Sequence, residues 1–389
     1  MRTLVTRSAT AARLLDSTRT ARWLPLAAPG AVYLAVRVVQ ILLLWWLDAI
    51  QQKPLDLHMW DGNWYLDLAR DGYHGIPSSS TDLHGHHTPY TAMGFFPAYP
   101  LLVRVASPIF FGNYAAAAIA VSTIAGMAAA YGVSRLVRDI GGSRAAALVT
   151  VVLFAAAPMS IVYSMAYPEA VQAALSAWAL VGLLERKWLL AGWCAAMSGL
   201  VRPTALPLIA VVVAVAACGL IRGRASWKAI TAALIAPIGL AAYILWVATQ
   251  TGSLTGYFAI QESGWDLGFD GGAATTEWAA NTLASDSSAF SILAVWLMIG
   301  SIVLAVYAVR RLPWSIWAYG ALTVLMTLAT SGVMSTKPRE LLPAFVLLIP
   351  VAIGISRHRP GKAIILTAMW AGFGLWFSAY GLTTWHYSI

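Results

Sequence analysis

The sequence predicts an all-α polytopic membrane protein with about eleven spanning helices. Hydrophobic residues make up 59% of the 389 and charged residues only 11%, whereas a soluble domain carries about 25% charged residues. The mean hydropathy is +0.70. Long apolar runs recur between short polar clusters, and a helix needs about 20 apolar residues to cross the hydrocarbon. The whole chain, 1–389, reads as a single transmembrane domain.

In order, residues 1–28 form a basic tail without a small-residue cleavage site after Leu47, so 31–50 is a signal anchor. A first long loop, 51–98, separates it from runs at 114–134, 145–163 and 166–184. The run 188–221 is long enough for two shortened spans and is interrupted by Arg202-Pro203, where a turn is expected. The next run, 229–250, leads into a second long loop, 251–288. Spans at 289–309, 313–331, 341–356 and 363–383 complete the eleven. No internal repeat occurs at a fixed period.

Charge placement orients these spans. Eighteen of the 25 basic residues, with three of the 16 acids, fall in the tail and the loops that share one side, for a balance of +15. The remaining seven basic and thirteen acidic residues leave −6, consistent with the overall +9. The positive-inside rule makes the basic side, and with it the N-terminus, cytoplasmic and places both long loops outside. The pI near 9.7 is therefore a topology signal, and no nucleic-acid partner is implied. Arginine outnumbers lysine 20 to 5, a composition that fits a GC-rich bacterial genome and a plasma-membrane location. Cys194 and Cys218 lie inside apolar spans as small buried thiols.

The polar residues gather on the outer side. In the first loop, Trp60, Trp64, Asp67 and Asp71 recur at spacings of four, three and four, which places them on one helical face at the membrane interface. Asp61, near the start of that helix, is either a dipole-favoured carboxylate or a catalytic one. The segment from Gly94 to Arg104, with Pro97 and Pro100, fits a short interfacial helix whose Arg104 faces headgroups or a phosphate. Glu169, Arg202, Lys337 and Arg339 sit at the outer ends of spans, where ionisable groups are paired or functional. Glu169 with Arg202 is the expected pair. Arg37, inside the first span, either snorkels or bonds a neighbouring helix. His84, His86 and His87 read as a solvated loop rather than a metal site, and the chain contains no Asp-x-Asp pair.

These residues resemble the PIG-V family of mannosyltransferases, and its bacterial homologues in particular. The resemblance runs through Trp60-Asp61-Gly62 with Trp64-Tyr65, Gly72-Tyr73, Phe96-Pro97 with Tyr99-Pro100-Leu101, and Tyr167-Pro168-Glu169. It continues through Arg202-Pro203-Thr204, Gln261 with Trp265, and Arg339 with Leu341-Leu342-Pro343. It implies a GT-C fold with interfacial helices in the first outer loop. It also implies inverting transfer of mannose from a polyprenyl-phosphate donor to a lipid or glycan acceptor on the extracytoplasmic face. The chemistry, a good phosphate leaving group with a carboxylate base and cations to hold the phosphate, needs no metal cofactor. Asp61 matches the family's essential acid. The basic residues expected at the donor phosphate are Arg339, Lys337, Arg202 and Arg104. Trp60, Trp64, Tyr65, Asp67, Tyr99, Tyr167, Glu169, Gln261 and Trp265 are the expected positioning residues. Glu340 stands where an aromatic residue is expected, and Asp266 where the bacterial pattern has Gly-Arg. The competing class is a lipid or solute transporter, which would carry its charges near the bilayer midplane.

Overall fold

The structure is a computed structural model that describes residues 2–52, 54–223 and 226–385, with side chains from Leu26 onward. It consists of helices α1 (Arg2–Gln51), α2 (Asp61–Asp71), α3 (Ala98–Ala106), α4 (Tyr114–Asp139), α5 (Arg144–Ala155) and α6 (Glu169–Leu184). These are followed by α7 (Trp188–Gly199), α8 (Leu206–Ile221), α9 (Trp227–Ile235), α10 (Ile238–Thr251), α11 (Gly256–Trp265) and α12 (Ala273–Ala284). The chain ends with α13 (Ala289–Ala308), α14 (Trp314–Leu328), α15 (Lys337–Glu340), α16 (Ile349–Ser356) and α17 (Pro360–Thr383). Among the described residues β structure is limited to one bridge, Phe269 with Thr330.

All ten apolar runs are helical, but they do not make eleven full-length spans. Six helical stretches are long and apolar enough to cross a membrane: Leu26–Gln51, Tyr114–Asp139, Pro203–Ile221, Trp227–Thr251, Ala289–Ala308 and Pro360–Thr383. A seventh is the pair Met334–Glu340 and Leu342–Ser356, bent by 52°. Four runs, α5, α6, α7 and α14, are helices of 12 to 16 residues. At 1.5 Å per residue such helices fall short of a hydrocarbon core about 30 Å thick. The apolar run 145–163 shows why, since its last part winds as a 3₁₀ turn, Ser160–Ser164, rather than as α-helix. The expected turn in 188–221 is present. Arg202 is extended at φ −158°, and Pro203–Ala205 forms a 3₁₀ turn before α8.

Short polar signals set the helix starts. Asn113, Ser143, Ser226 and Ser288 each accept a backbone N–H two or three residues into α4, α5, α9 and α13. The start of α13 is thereby fixed after Ser288. Helices α4 and α6 run parallel: Ser122 reaches the Tyr167 carbonyl near one end, and Arg135 pairs with Glu185 at 2.6 Å at the other. The end carrying Glu169 is thus some 24 Å, sixteen residues of rise, from the Arg135–Glu185–Lys187 network. The basic side chains of the first 25 residues lie outside the described set.

Arg37 bonds its neighbours rather than snorkelling. Its buried guanidinium donates to the Ser160 carbonyl at 2.6 Å and to the Ala155 carbonyl, between the rings of Tyr33 and Tyr163. Ala155 is the last residue of α5, so the arginine satisfies carbonyls freed where that helix breaks. Helix α3 and its 3₁₀ extension Ser107–Phe110 bury Tyr99 and Val103 and expose Leu101, Leu102, Val105 and Ile109, the amphipathic arrangement expected of an interfacial helix.

Candidate active site

The chain enters α2 through a strained residue. Trp60 has φ +58° and ψ −124°, a conformation that costs a non-glycine residue about 1–3 kcal/mol and is held only where its surroundings over-determine it. The surroundings come from the Tyr-Pro-Glu segment. Ala166 N–H donates to the Leu57 carbonyl at 2.9 Å, and the Tyr167 hydroxyl donates to the Met59 carbonyl at 3.0 Å. Gly62 lies against the Tyr167 ring, and a Cβ there would come within 3.3 Å of it. The Trp-Asp-Gly block is thus one half of a contact whose other half is Tyr167. This contact presents Asp61 at the first turn of α2.

Four charges converge around that turn. Asp61 Oδ2 accepts from Arg339 Nη1 at 2.9 Å. Arg339 Nε lies 3.6 Å from Glu169 Oε1, which also accepts from Arg202 Nη1. The Arg339 guanidinium sits 5.4 Å over the Tyr167 ring. Glu169 and Arg339 are buried, whereas the Asp61 side chain keeps 27% of its exposure. The acid is therefore the open member of a quartet with no net formal charge.

Three of the four, Asp61, Arg202 and Arg339, floor a cavity of about 710 Å³ lined also by Trp60, Trp64, Tyr65, Gln261 and Trp265, all expected site residues. Trp64 stacks on Phe95 with centroids 5.1 Å apart, and Trp265 meets Phe95 edge-on at 5.4 Å. Gln261 donates to the Gly94 carbonyl at 2.8 Å, and a side chain on Gly94 would collide with Trp265. Burial holds the Tyr65 phenol well above its ordinary range, so it meets a ligand as a neutral hydroxyl. The two long loops and the segment after α14 close the walls: Leu83 N–H donates to the Gly264 carbonyl at 3.1 Å, and Ser331 Oγ to the Asp266 carbonyl at 2.6 Å.

Other expected site residues lie outside the cavity lining. Lys337 is turned away, its ammonium donating to the carbonyls of Thr327 at 2.7 Å and Thr330 at 2.6 Å, so it caps the end of α14 and has no free reach toward a phosphate. Arg104 is on the exposed side of α3 and reaches only the Arg70 carbonyl, at 3.4 Å. Asp67 is held by Arg70 at 2.7 Å and by Ser80 at 3.0 Å. Of the expected shared face, Trp64, Asp67 and Asp71 keep their helical spacing, while α2 begins at Asp61 and leaves Trp60 outside the helix; Asp67 and Asp71 both pair with Arg70. Tyr99 is buried, in contact with Ser122 at 2.9 Å. Tyr167 and Glu169 sit beneath the floor rather than in the wall. The expected Glu169–Arg202 pair is present. Arg339 pairs with Asp61 and lies close to Glu169.

Sequence reasoning missed Asp82, Tyr257 and Thr336 in the lining. Tyr257 carried a usable signal, since Tyr257, Gln261 and Trp265 recur every four residues along α11. His84 contacts Asp266 at 3.1 Å and His87 the Ser80 carbonyl at 2.8 Å. Among the described residues, no group of three or more His, Cys, Asp or Glu is arranged to hold a metal ion.

No family model and no curated protein matches the chain by sequence. Solved structures do match. ArnT from Cupriavidus metallidurans bound to undecaprenyl phosphate superposes with a TM-score of 0.55 over 92% of this chain, at 16% identity. Its apo form gives 0.54 over 92% at 16% identity, covering 66% of that chain. The apo oligosaccharyltransferase from Archaeoglobus fulgidus gives 0.50 over 91%, at 13% identity, covering 56% of its chain. The fold is shared. The chain is an integral membrane protein with the expected GT-C-like helical bundle, and it spans 65% of the length of the undecaprenyl-phosphate-bound ArnT.

Proposed function

We propose that the protein is an inverting glycosyltransferase that moves mannose from a polyprenyl-phosphate donor to an acceptor hydroxyl on the extracytoplasmic face of a bacterial plasma membrane. The observation that carries this reading is the convergence of Asp61, Arg202 and Arg339 on one cavity. The acceptor oxygen attacks the anomeric carbon and gives its proton to Asp61. The bond from that carbon to the phosphate oxygen breaks, and polyprenyl phosphate leaves with the electron pair, held by Arg339 and Arg202. In the resting site Arg339 holds Asp61. A phosphate that takes over this guanidinium frees the carboxylate to act as a base, so donor binding and base activation coincide.

The bent span supports a lipid donor. Arg339 faces the polar cavity, while Pro338, Leu341, Leu342 and Phe345 line an apolar groove of about 380 Å³ with Phe154, Trp296 and Trp370. A polyprenyl tail in that groove would present its phosphate at Arg339. ArnT, whose fold this chain shares, is solved with undecaprenyl phosphate, and the resemblance to PIG-V supplies mannose as the sugar. This route needs no metal from the residues named.

Purified protein with radiolabelled polyprenyl-phosphate mannose and a set of lipid and glycan acceptors tests the proposal. Asp61→Asn keeps size and most hydrogen bonding but removes basicity, so transfer should fall roughly 10²–10⁴-fold. Arg339→Ala should lose about 3 kcal/mol of transition-state stabilisation. Wild-type protein that moves intact donor across a vesicle membrane without releasing mannose is a transporter, and the proposal is then wrong. Wild-type transfer by Asp61→Asn, with Asp67→Asn or Glu169→Gln inactive, would reassign the base.

A further inference from the structure

The cavity lining also holds groups that the donor reaction does not use. Once Asp61 is set against Arg339 and Glu169 against Arg202, three carboxylates remain in its lining: Asp82 from the first long loop, Asp266 from the second, and Glu340 from the bent span. Asp82 Oδ1 accepts the N–H groups of His84 and His86 at 2.9 and 2.8 Å, Asp266 Oδ1 meets His84 Nε2 at 3.1 Å, and Glu340 Oε1 accepts from Thr336 at 3.1 Å. Each contact uses a single oxygen and leaves the second for a ligand. These carboxylates are too dispersed to chelate an ion. They share the lining with Trp60 and Trp265, and with Tyr257, a buried residue whose hydroxyl makes no hydrogen bond of good geometry among the described residues.

We propose that these groups form the acceptor subsite, and that Asp82, Asp266 and Glu340 select a non-anionic sugar ring. The proposal rests on the transferase reading above. Carboxylate oxygens only accept hydrogen bonds, so their ligand must donate, as the hydroxyls of a sugar do. The indole faces of Trp60 and Trp265 offer flat apolar surface to the C–H face of such a ring. An acceptor carrying a carboxylate or phosphate meets like charge from three directions, and this repulsion adds to the selection. Two of the three acids, Asp266 and Glu340, stand where the chain departs from the pattern it otherwise resembles, so the preference belongs to this chain.

The test compares an octyl hexoside with the matching octyl hexuronide, with labelled polyprenyl-phosphate mannose as donor. Wild-type protein should transfer to the hexoside with a kcat/KM at least tenfold above that for the hexuronide. Asp266→Asn combined with Glu340→Gln should raise the hexoside KM about tenfold, with a smaller change in kcat, and should narrow the discrimination. Equal use of both acceptors, or an unchanged hexoside KM in the double variant, overturns the subsite. A second arm reads binding without turnover, by quenching of tryptophan fluorescence with each glycoside. Preferential hexoside binding that the double variant loses, without transfer to any acceptor, keeps the subsite and rejects the transferase reading. Transfer or donor hydrolysis without any acceptor preference does the reverse.

Discussion

Glu169 holds two guanidiniums through one oxygen: Arg202 bonds to Oε1, and Arg339 Nε lies 3.6 Å from the same atom. With the carboxylate neutralised, the buried Arg339 and the partly buried Arg202 would face each other with only Asp61 to balance them. Glu169→Gln should therefore destabilise the fold by about 3–5 kcal/mol, the cost of breaking a buried pair. Asp61→Asn, at the open edge of the quartet, should cost less, and unfolding of the two variants in the same detergent gives the comparison. The Glu169–Arg202 pair was legible from the sequence, because both residues sit at outer span ends and few partners exist there. The Asp61–Arg339 contact, 278 residues apart, was not. Alternation of spans assigns both residues to one side but cannot say which helix ends touch. Lys337 was misread for a related reason, since a cation at a helix end has carbonyls to cap as well as ligands to bind.

At the scale of elements, α7 packs on α9 and α10 through small residues. A Cβ on Gly192 would come within 2.8 Å of Ala232 Cα, one on Gly199 within 2.6 Å of Leu240 N, and one on Gly239 would strike the Ala196 carbonyl. Lipid supplies no hydrophobic drive between helices, so close backbone approach and dispersion hold this contact. Gly239→Val should force α10 off α7 and cost about 1–3 kcal/mol or more, because a backbone atom cannot yield as a side chain does. Gly372→Ala, with open space around it, should leave the unfolding transition within error. Helix existence was readable from apolar runs, since hydrophobicity tracks burial and lipid contact alike. Helix length was less so: the 3₁₀ turn Ser160–Ser164 lies inside a mainly apolar stretch, where side-chain polarity does not report a change of winding, and the bend near Leu341 joins the charged segment Lys337–Glu340 to the apolar run that follows.

For the whole molecule, ion-paired clusters lie at both ends of the bundle. The Asp61 quartet lies at one end, and Arg135, Glu185 and Lys187 form an ion-paired cluster at the other. The positive-inside rule assigns the second end to the cytoplasm. Reporter fusions after Lys187 and after Arg311 should then be cytoplasmic, and one after Ser285 external. Reversal at any two would invert the topology and move the cavity to the other face of the membrane. The fold class was legible because composition alone excludes a water-soluble core. The cavity's walls were not, because they form where two loops and a bent span meet, and loop packing leaves no periodic trace.

The seat of Arg37 also sets a schedule for synthesis. Its bonding partners, Ala155 to Ser164, lie 118 to 127 residues further along the chain. At roughly 5–20 residues per second the first span waits about 6–25 s before they are made. During that interval an unsatisfied arginine inside α1 carries an insertion penalty of about 2.5–3.5 kcal/mol, so the anchor should be held loosely until α5 and its 3₁₀ turn arrive. Nascent chains arrested before Ala155 should therefore be extracted from membranes by alkali more readily than the same chains with Arg37→Leu. The difference should vanish once arrest is moved well beyond Ser164.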